Sequence, residues 1–321
     1  MNRELPVTVL MSTHNDERYI EEAIVSILQQ TLKDFEFLII DDASTDGTPD
    51  ILDKYRREDS RIRLVRNENN LGLTKSLNIG LKLAKGKYIA RMDGDDISHP
   101  GRLEHQYVYM TSNSGCDFLA TEGVLIGESG RRLKDIRIDF KGLPQKEYIL
   151  NYGSPFIHSS MMFSKHKILE MGGYDESYKT RQDLELWLRI IYSGMEISVL
   201  KRPLIKLRYH SRSLSQEGIE NLYLNVMIRV LYRAKHLGIV NVNKEEIEDM
   251  VKLEPAINNY VLRVHSRRRL KAMMDSFASG DLIRGVALFF KLIPNLHLAF
   301  SSHVQLMPAI DDLLIRTCKF K

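Results

Sequence analysis

Residues 35 to 40 read Phe-Glu-Phe-Leu-Ile-Ile and stop on the acidic pair Asp41-Asp42. A near-continuous apolar run of that length, closed by carboxylates, is the pattern of a strand buried on both faces of a parallel sheet. Lys87-Tyr88-Ile89-Ala90-Arg91-Met92 repeats it and ends in Asp93-Gly94-Asp95-Asp96. Leu5 to Met11 favours a first strand, and Ile20, Ala23, Ile24, Ile27 and Leu28 lie at the spacing of one helix face within Glu17 to Gln30. Ser44 to Thr48 reads as a turn and N-cap leading into a helix over Pro49 to Glu58. Ile62 to Arg66 makes a short strand, and Leu73 to Lys85 a further helix. The rhythm is βαβαβ. Open α/β sheets bind ligands at the carboxyl ends of their strands, where strand order reverses, so both acid clusters are expected to converge on one crevice.

Downstream, Cys116 to Ile126 reads as a strand, Arg131 to Lys146 as an irregular link, Pro155 to Lys165 as a strand and Leu184 to Ser193 as a helix. From Gln216 the pattern becomes helix after helix, with Leu222, Val226, Val230 and Leu231 at helical spacing. A boundary near residue 215 is therefore expected, dividing a catalytic domain over 1–215 from a helical region over 216–321. That region carries a basic run, Arg263, Arg267, Arg268, Arg269 and Lys271, and an apolar one from Val286 to Ile293. Two readings stand: a helical subdomain packing on its neighbour, or an amphipathic element at an anionic membrane surface.

Composition removes several classes. With 43% hydrophobic and 27% charged residues the chain is globular rather than disordered. Its two cysteines, Cys116 and Cys318, sit in no Cys-x-x-Cys or His/Cys cluster, which argues against zinc and a disulfide framework. Val7 to Met11 is too short for the apolar core of a signal peptide, and no stretch reaches the ~18 apolar residues of a membrane span, so a cytoplasmic location is expected. A net charge of +4 is no nucleic-acid signature. The first strand runs into Ser12-Thr13-His14-Asn15 without the glycines of a dinucleotide-binding turn, which disfavours a dehydrogenase and a nucleotidyltransferase alike.

Three carboxylates around Gly94 cannot all be helix caps, and clustered like charges destabilise a fold unless a cation is expected. Oxygen donors of this kind suit Mn²⁺ or Mg²⁺, bound together with substrate phosphates.

Beyond chemistry, the blocks Thr8 to Asn15, Ile24 to Thr31, Phe35 to Thr48, Asn69 to Leu73 and Ala84 to Asp96 closely resemble the family 2 inverting glycosyltransferases, in that family's order. The resemblance continues through Pro155 to Ser160, Gly172 to Glu176 and Gln182 to Arg189, and ends near Arg208-Tyr209-His210. It implies a GT-A fold: a Rossmann-like mixed sheet flanked by helices, with a mainly helical region after it. It implies transfer of a sugar, with inversion, from a nucleotide-diphosphate sugar, with a UDP-sugar as the preferred donor. Ser12, Thr13, Asn15 and Glu17 would line base and ribose, Asp42 rather than Asp41 would accept from the base, and Lys75 is a weaker candidate for base or diphosphate. Asp93 would touch ribose or metal-bound water across Gly94, with Asp95 or Asp96 on the metal. Asp183 would be the general base; family members usually carry Glu-Asp where this chain has Gln182-Asp183. Taken alone, Asp183 also suits the N-cap of the helix it opens. His158 and His210 are equally readable as site groups or as satisfied core histidines. No Gln-x-x-Arg-Trp motif follows Asp183, which implies single-sugar addition, to a glycan or lipid-linked glycan acceptor in cell-surface polysaccharide, O-antigen or capsule synthesis. A non-catalytic relative would be expected to lack these acids.

Overall fold

The computed structural model describes residues 5–210 and 219–236. In chain order they form β1 (Leu5–Thr13), α1 (Ile20–Leu28), β2 (Phe35–Asp41), α2 (Thr48–Glu58), β3 (Ile62–Arg66), α3 (Leu73–Leu83), β4 (Gly86–Asp93), β5 (Ile97–Ser98), α4 (Arg102–Ser112), β6 (Phe118–Ile126), β7 (Arg132–Ile136), α5 (Gln145–Tyr152), β8 (Met162–Ser164), α6 (Lys165–Glu170), α7 (Gln182–Tyr192), β9 (Ser198–Arg208) and α8 (Ile219–His236).

The strands form one mixed sheet in the order β3-β2-β1-β4-β8-β6-β9-β5, with β7 on the side of β6. β3, β2, β1 and β4 run parallel. β8 pairs antiparallel with β4 and with β6, while β6 and β9 run parallel. Strand order turns back at β1, whose neighbours are β2 and β4, and that is where a crevice opens at the carboxyl ends. β2 is buried along its whole length. The stripe Ile20, Ala23, Ile24 and Ile27 of α1 packs into the same core as Val9, Met11, Phe37 and Ile39. Each fully buried aliphatic side chain contributes about 1.5–3 kcal/mol relative to exposure.

Two expectations need correction. The stretch Arg131 to Lys146 is not merely irregular, because β7 pairs with β6 there. Pro155 to Lys165 is not one strand: His158–Ser160 form a 3₁₀ turn, and only Met162–Ser164 pair. The first unit takes in two stretches of the chain. The described residues fall into two compact units, and Lys146–Gly153 belong to the second, with α8. The reason lies at the end of α5, where the buried Arg229 of α8 donates 3.1 Å bonds to the carbonyls of Leu150 and Asn151 that the helix leaves unpaired. The basic run at 263–271 and the apolar run at 286–293 lie outside the described residues. No described helix is long and apolar enough to cross a membrane.

Candidate active site

The crevice is built from three strand ends in register: Ser12 of β1 sits opposite Asp93 of β4, and Thr13 opposite Asp41 of β2. The loops after β1 and β2 clamp each other. Asn15, at φ 57°, accepts the Thr45 N–H at 2.8 Å, and its own N–H reaches Ser44 Oγ at 3.0 Å. Glu17 accepts the Gly47 N–H at 2.7 Å. Thr13 donates to Asp16 at 2.7 Å. Asn15 and Glu17, expected to line the nucleotide, thus hold the loop wall in place with the same side chains.

Of the two adjacent acids, Asp41 accepts the Ser44 N–H at 3.1 Å and pairs with Arg66 at 3.4 Å, so it holds the turn that follows β2. Asp42 accepts from Asn67 Nδ2 at 2.7 Å, Leu71 N–H at 2.9 Å and Gly72 N–H at 2.8 Å. It therefore anchors the loop ahead of α3. His14 extends this anchorage, bonding the Asp42 carbonyl through Nδ1 at 2.8 Å and taking the Asn70 amide on Nε2 at 3.0 Å. Lys75 is exposed in the first turn of α3. An open groove of about 410 Å³ lies beside Asp41, lined by Ala43, Ser44, Arg66 and Asn67 among others.

At the end of β4 the carboxylate oxygens of Asp93, Asp95 and Asp96 come within 4.8 Å of one another. Each has a different partner. Asp93 pairs with the buried Arg91. Asp95 Oδ2 lies 2.8 Å from His210 Nε2. Asp96 is 1% exposed and takes the Ser159 hydroxyl on one oxygen and the Arg208 N–H, at 2.8 Å, on the other. Burial, and then the Asp95 charge, pushes the Asp96 carboxyl up to about 7. Gly94 keeps the turn tight: a Cβ there would stand 2.7 Å from Asp16 Oδ2 and 3.1 Å from Ile20 Cδ1. The donor set fits a hard divalent cation, since the carboxylates converge with an imidazole nitrogen against one of them. Asp95 has His210 within hydrogen-bond distance and Asp93 adjacent, whereas Asp96 has both oxygens committed to this chain.

Asp183 occupies the first turn of α7, which starts at Gln182. It is not the cap, because the capping position is Arg181 in the left-handed region at φ 62°. A carboxylate in a helix's first turn is still favoured by the peptide dipoles. His158 bonds the Tyr174 hydroxyl at 2.7 Å and meets Tyr174 and Trp187 edge-on. Loss of solvent, and then the Arg91 charge, hold His158 well below the ordinary histidine value, so it is neutral. Trp187 is fully buried, and Arg189 pairs with Glu185 at 2.8 Å.

Two arginines that sequence reasoning left without a role are central. Arg91 is 2% exposed, and burial lowers its pKa while Tyr174, Asp96, Asp95 and Asp183 pull it back up. It is thus close to acids of both β4 and α7. Its Nη1 faces the Asp93 carboxylate, while its buried Nε has no hydrogen-bond partner among the described residues. Arg208 joins β9 to the acid turn through Asp95 and Asp96. The available signal was an arginine inside an apolar strand run, and another two residues before a histidine.

Comparison with known proteins agrees with this geometry. Residues 8–172 match the family described as Glycosyl transferase family 2. The O-antigen biosynthesis glycosyltransferase WbnJ of Escherichia coli is 34% identical over 66% of this chain and 83% of its own length. Among solved structures, S. aureus TarS 1–349 in complex with UDP-GlcNAc superposes with a TM-score of 0.59 at 18% identity, covering 88% of this chain and 90% of that one. The mannosyltransferase PcManGT of Pyrobaculum calidifontis, in complex with GDP-Man and Mn²⁺, gives 0.54 at 17% identity over 99% of this chain and 87% of that one. At these identities the structures speak for the fold, which is GT-A, and the match over residues 8–172 for the family: the chain belongs to glycosyl transferase family 2 and is a glycosyltransferase.

Proposed function

We propose that the protein transfers a single sugar from a nucleotide-diphosphate sugar, preferentially a UDP-sugar, to an acceptor hydroxyl with inversion, in the synthesis of a cell-surface polysaccharide. The observation that carries this reading is the Asp95–His210 pair at 2.8 Å, inside an acid cluster at the switch point of the sheet. The binding of UDP-GlcNAc by TarS and of GDP-Man with Mn²⁺ by PcManGT supports a nucleotide-sugar donor and a divalent cation. The O-antigen role of WbnJ supports a glycan or lipid-linked glycan as acceptor.

In this reading Asp95 and His210 hold Mn²⁺ or Mg²⁺, which when bound neutralises the charge of the leaving diphosphate. Ser12 and Thr13 form the floor of the nucleotide subsite, and Asp42 shapes its wall by fixing the loop at 67–72. Asp183 accepts the proton of the acceptor hydroxyl as that oxygen attacks the anomeric carbon. Arg91 contributes a buried positive charge beside Asp93 at the end of β4. A panel of UDP, GDP, dTDP and CMP, each with and without Mn²⁺, tests the donor class by thermal shift. Cation-dependent stabilisation by one nucleotide is expected. No stabilisation by any of them would point to a fold that has lost its chemistry.

A further inference from the structure

Arg208 is 4% exposed, yet its backbone and side chain reach three separate segments. Its N–H donates to Asp96 Oδ1 at 2.8 Å and its Nε to the Asp95 carbonyl at 2.9 Å. Nη1 reaches the Glu128 carbonyl at 3.0 Å, and Nη2 pairs with Glu22 of α1. The guanidinium also lies 4.7 Å from the Tyr19 ring centroid. Burial alternates along the next two residues: Tyr209 is 40% exposed and His210 only 8%. His210 therefore turns inward with Arg208, packs 5.0 Å from the same Tyr19 ring, and meets Asp95 Oδ2 through Nε2.

Asp95 is thus held at both ends, its carbonyl by Arg208 directly and its carboxylate by the histidine that Arg208 and Tyr19 orient. The guanidinium suits this because its donors form a rigid fork that can serve acceptors on several segments at once; a lysine ammonium cannot span them. We infer that Arg208 is a positioning residue that presets the Asp95–His210 pair for a divalent cation. This rests on the reading that those two residues hold the ion. Outer groups that orient metal ligands are typically worth 10–100-fold in metal affinity.

The experiment is a Mn²⁺ titration followed by the electron paramagnetic resonance signal of the free ion, with and without UDP. It compares wild type, Arg208→Lys, His210→Asn, the double variant and Glu22→Gln. Arg208→Lys raises the half-saturating Mn²⁺ by about 10–100-fold. Its loss is not additive with that of His210→Asn, because both act on one pair. Glu22→Gln, which removes only an exposed anchor and spares the fold, moves the curve the same way by a smaller factor. Wild-type binding with superimposable curves for Arg208→Lys and Glu22→Gln, or fully additive losses, overturns the inference alone. No Mn²⁺ uptake by wild type overturns the metal reading and the inference with it.

Discussion

His210 Nε2 lies 2.8 Å from Asp95 Oδ2, although 115 positions separate the two residues. The turn after β4 supplies the carboxylate and the residue two positions past the end of β9 the imidazole, and the antiparallel pairing of β5, which follows the acid turn, with β9 brings them together. Asp95 lies two residues past the end of β4, beside Asp93, which sits opposite Ser12 of β1.

Replacement of Asp183 by Asn separates chemistry from binding. The carboxylate sits in the first turn of α7, and an amide keeps its shape without its basicity. The variant's kcat falls by about 10²–10⁴-fold, while nucleotide affinity stays within about twofold of wild type. Stability changes little, since the loss of one charge near a helix N-terminus is worth about 0.3–1 kcal/mol. Steady-state kinetics beside a nucleotide-binding isotherm checks the split.

Asp96 is expected to act as a structural group. Asp96→Ala leaves the Arg208 N–H and the Ser159 hydroxyl without their acceptor, which costs at least about 2 kcal/mol on denaturant unfolding. Asp96→Asn retains an acceptor for the Arg208 N–H and can donate to the Ser159 oxygen. It therefore unfolds close to wild type and binds Mn²⁺ as wild type does. Loss of Mn²⁺ binding in a stably folded Asp96→Asn would move the ligand role from Asp95 to Asp96.

Gly94→Ala probes the tightness of the acid turn. The new Cβ would stand 2.7 Å from Asp16 Oδ2 and 3.2 Å from Thr13 Oγ1, so the turn must shift or the Thr13–Asp16 bond must open. A cost of about 1–3 kcal/mol is expected from such overpacking, together with weakened nucleotide binding. Thermal unfolding and nucleotide titration on one preparation read both.

β2 and β4 could be recognised because strands buried on both faces carry apolar runs, and their terminal acids because carboxylates have no place in such a core. α4 escaped recognition: its buried face carries Arg102 and Gln106 at i and i+4, bonded at 3.0 Å, so polar residues interrupt the apolar stripe. β7 is an exposed edge strand rich in Arg and Lys, which shows no alternation. Asp95 and Asp96 could not be told apart because they are neighbours, and only the positions of Ser159 and Arg208 separate them. His210 stood equally for core or site, since its proximity to Asp95 depends on long-range strand order. Asn15 and Glu17 carried the right chemistry for a nucleotide, but the clamp they form with 44–47 is a loop-to-loop pairing that local pattern does not encode.

The account turns on one carboxylate, and a calorimetric titration of UDP into wild type and Asp95→Ala, each with and without Mn²⁺, tests it most directly. The prediction is UDP binding that strengthens at least about tenfold (about 1.4 kcal/mol) with Mn²⁺ in wild type, and an Asp95→Ala variant that melts normally but no longer responds to the ion. UDP binding of equal strength with and without Mn²⁺ in wild type, or an undiminished Mn²⁺ response in Asp95→Ala, would contradict it.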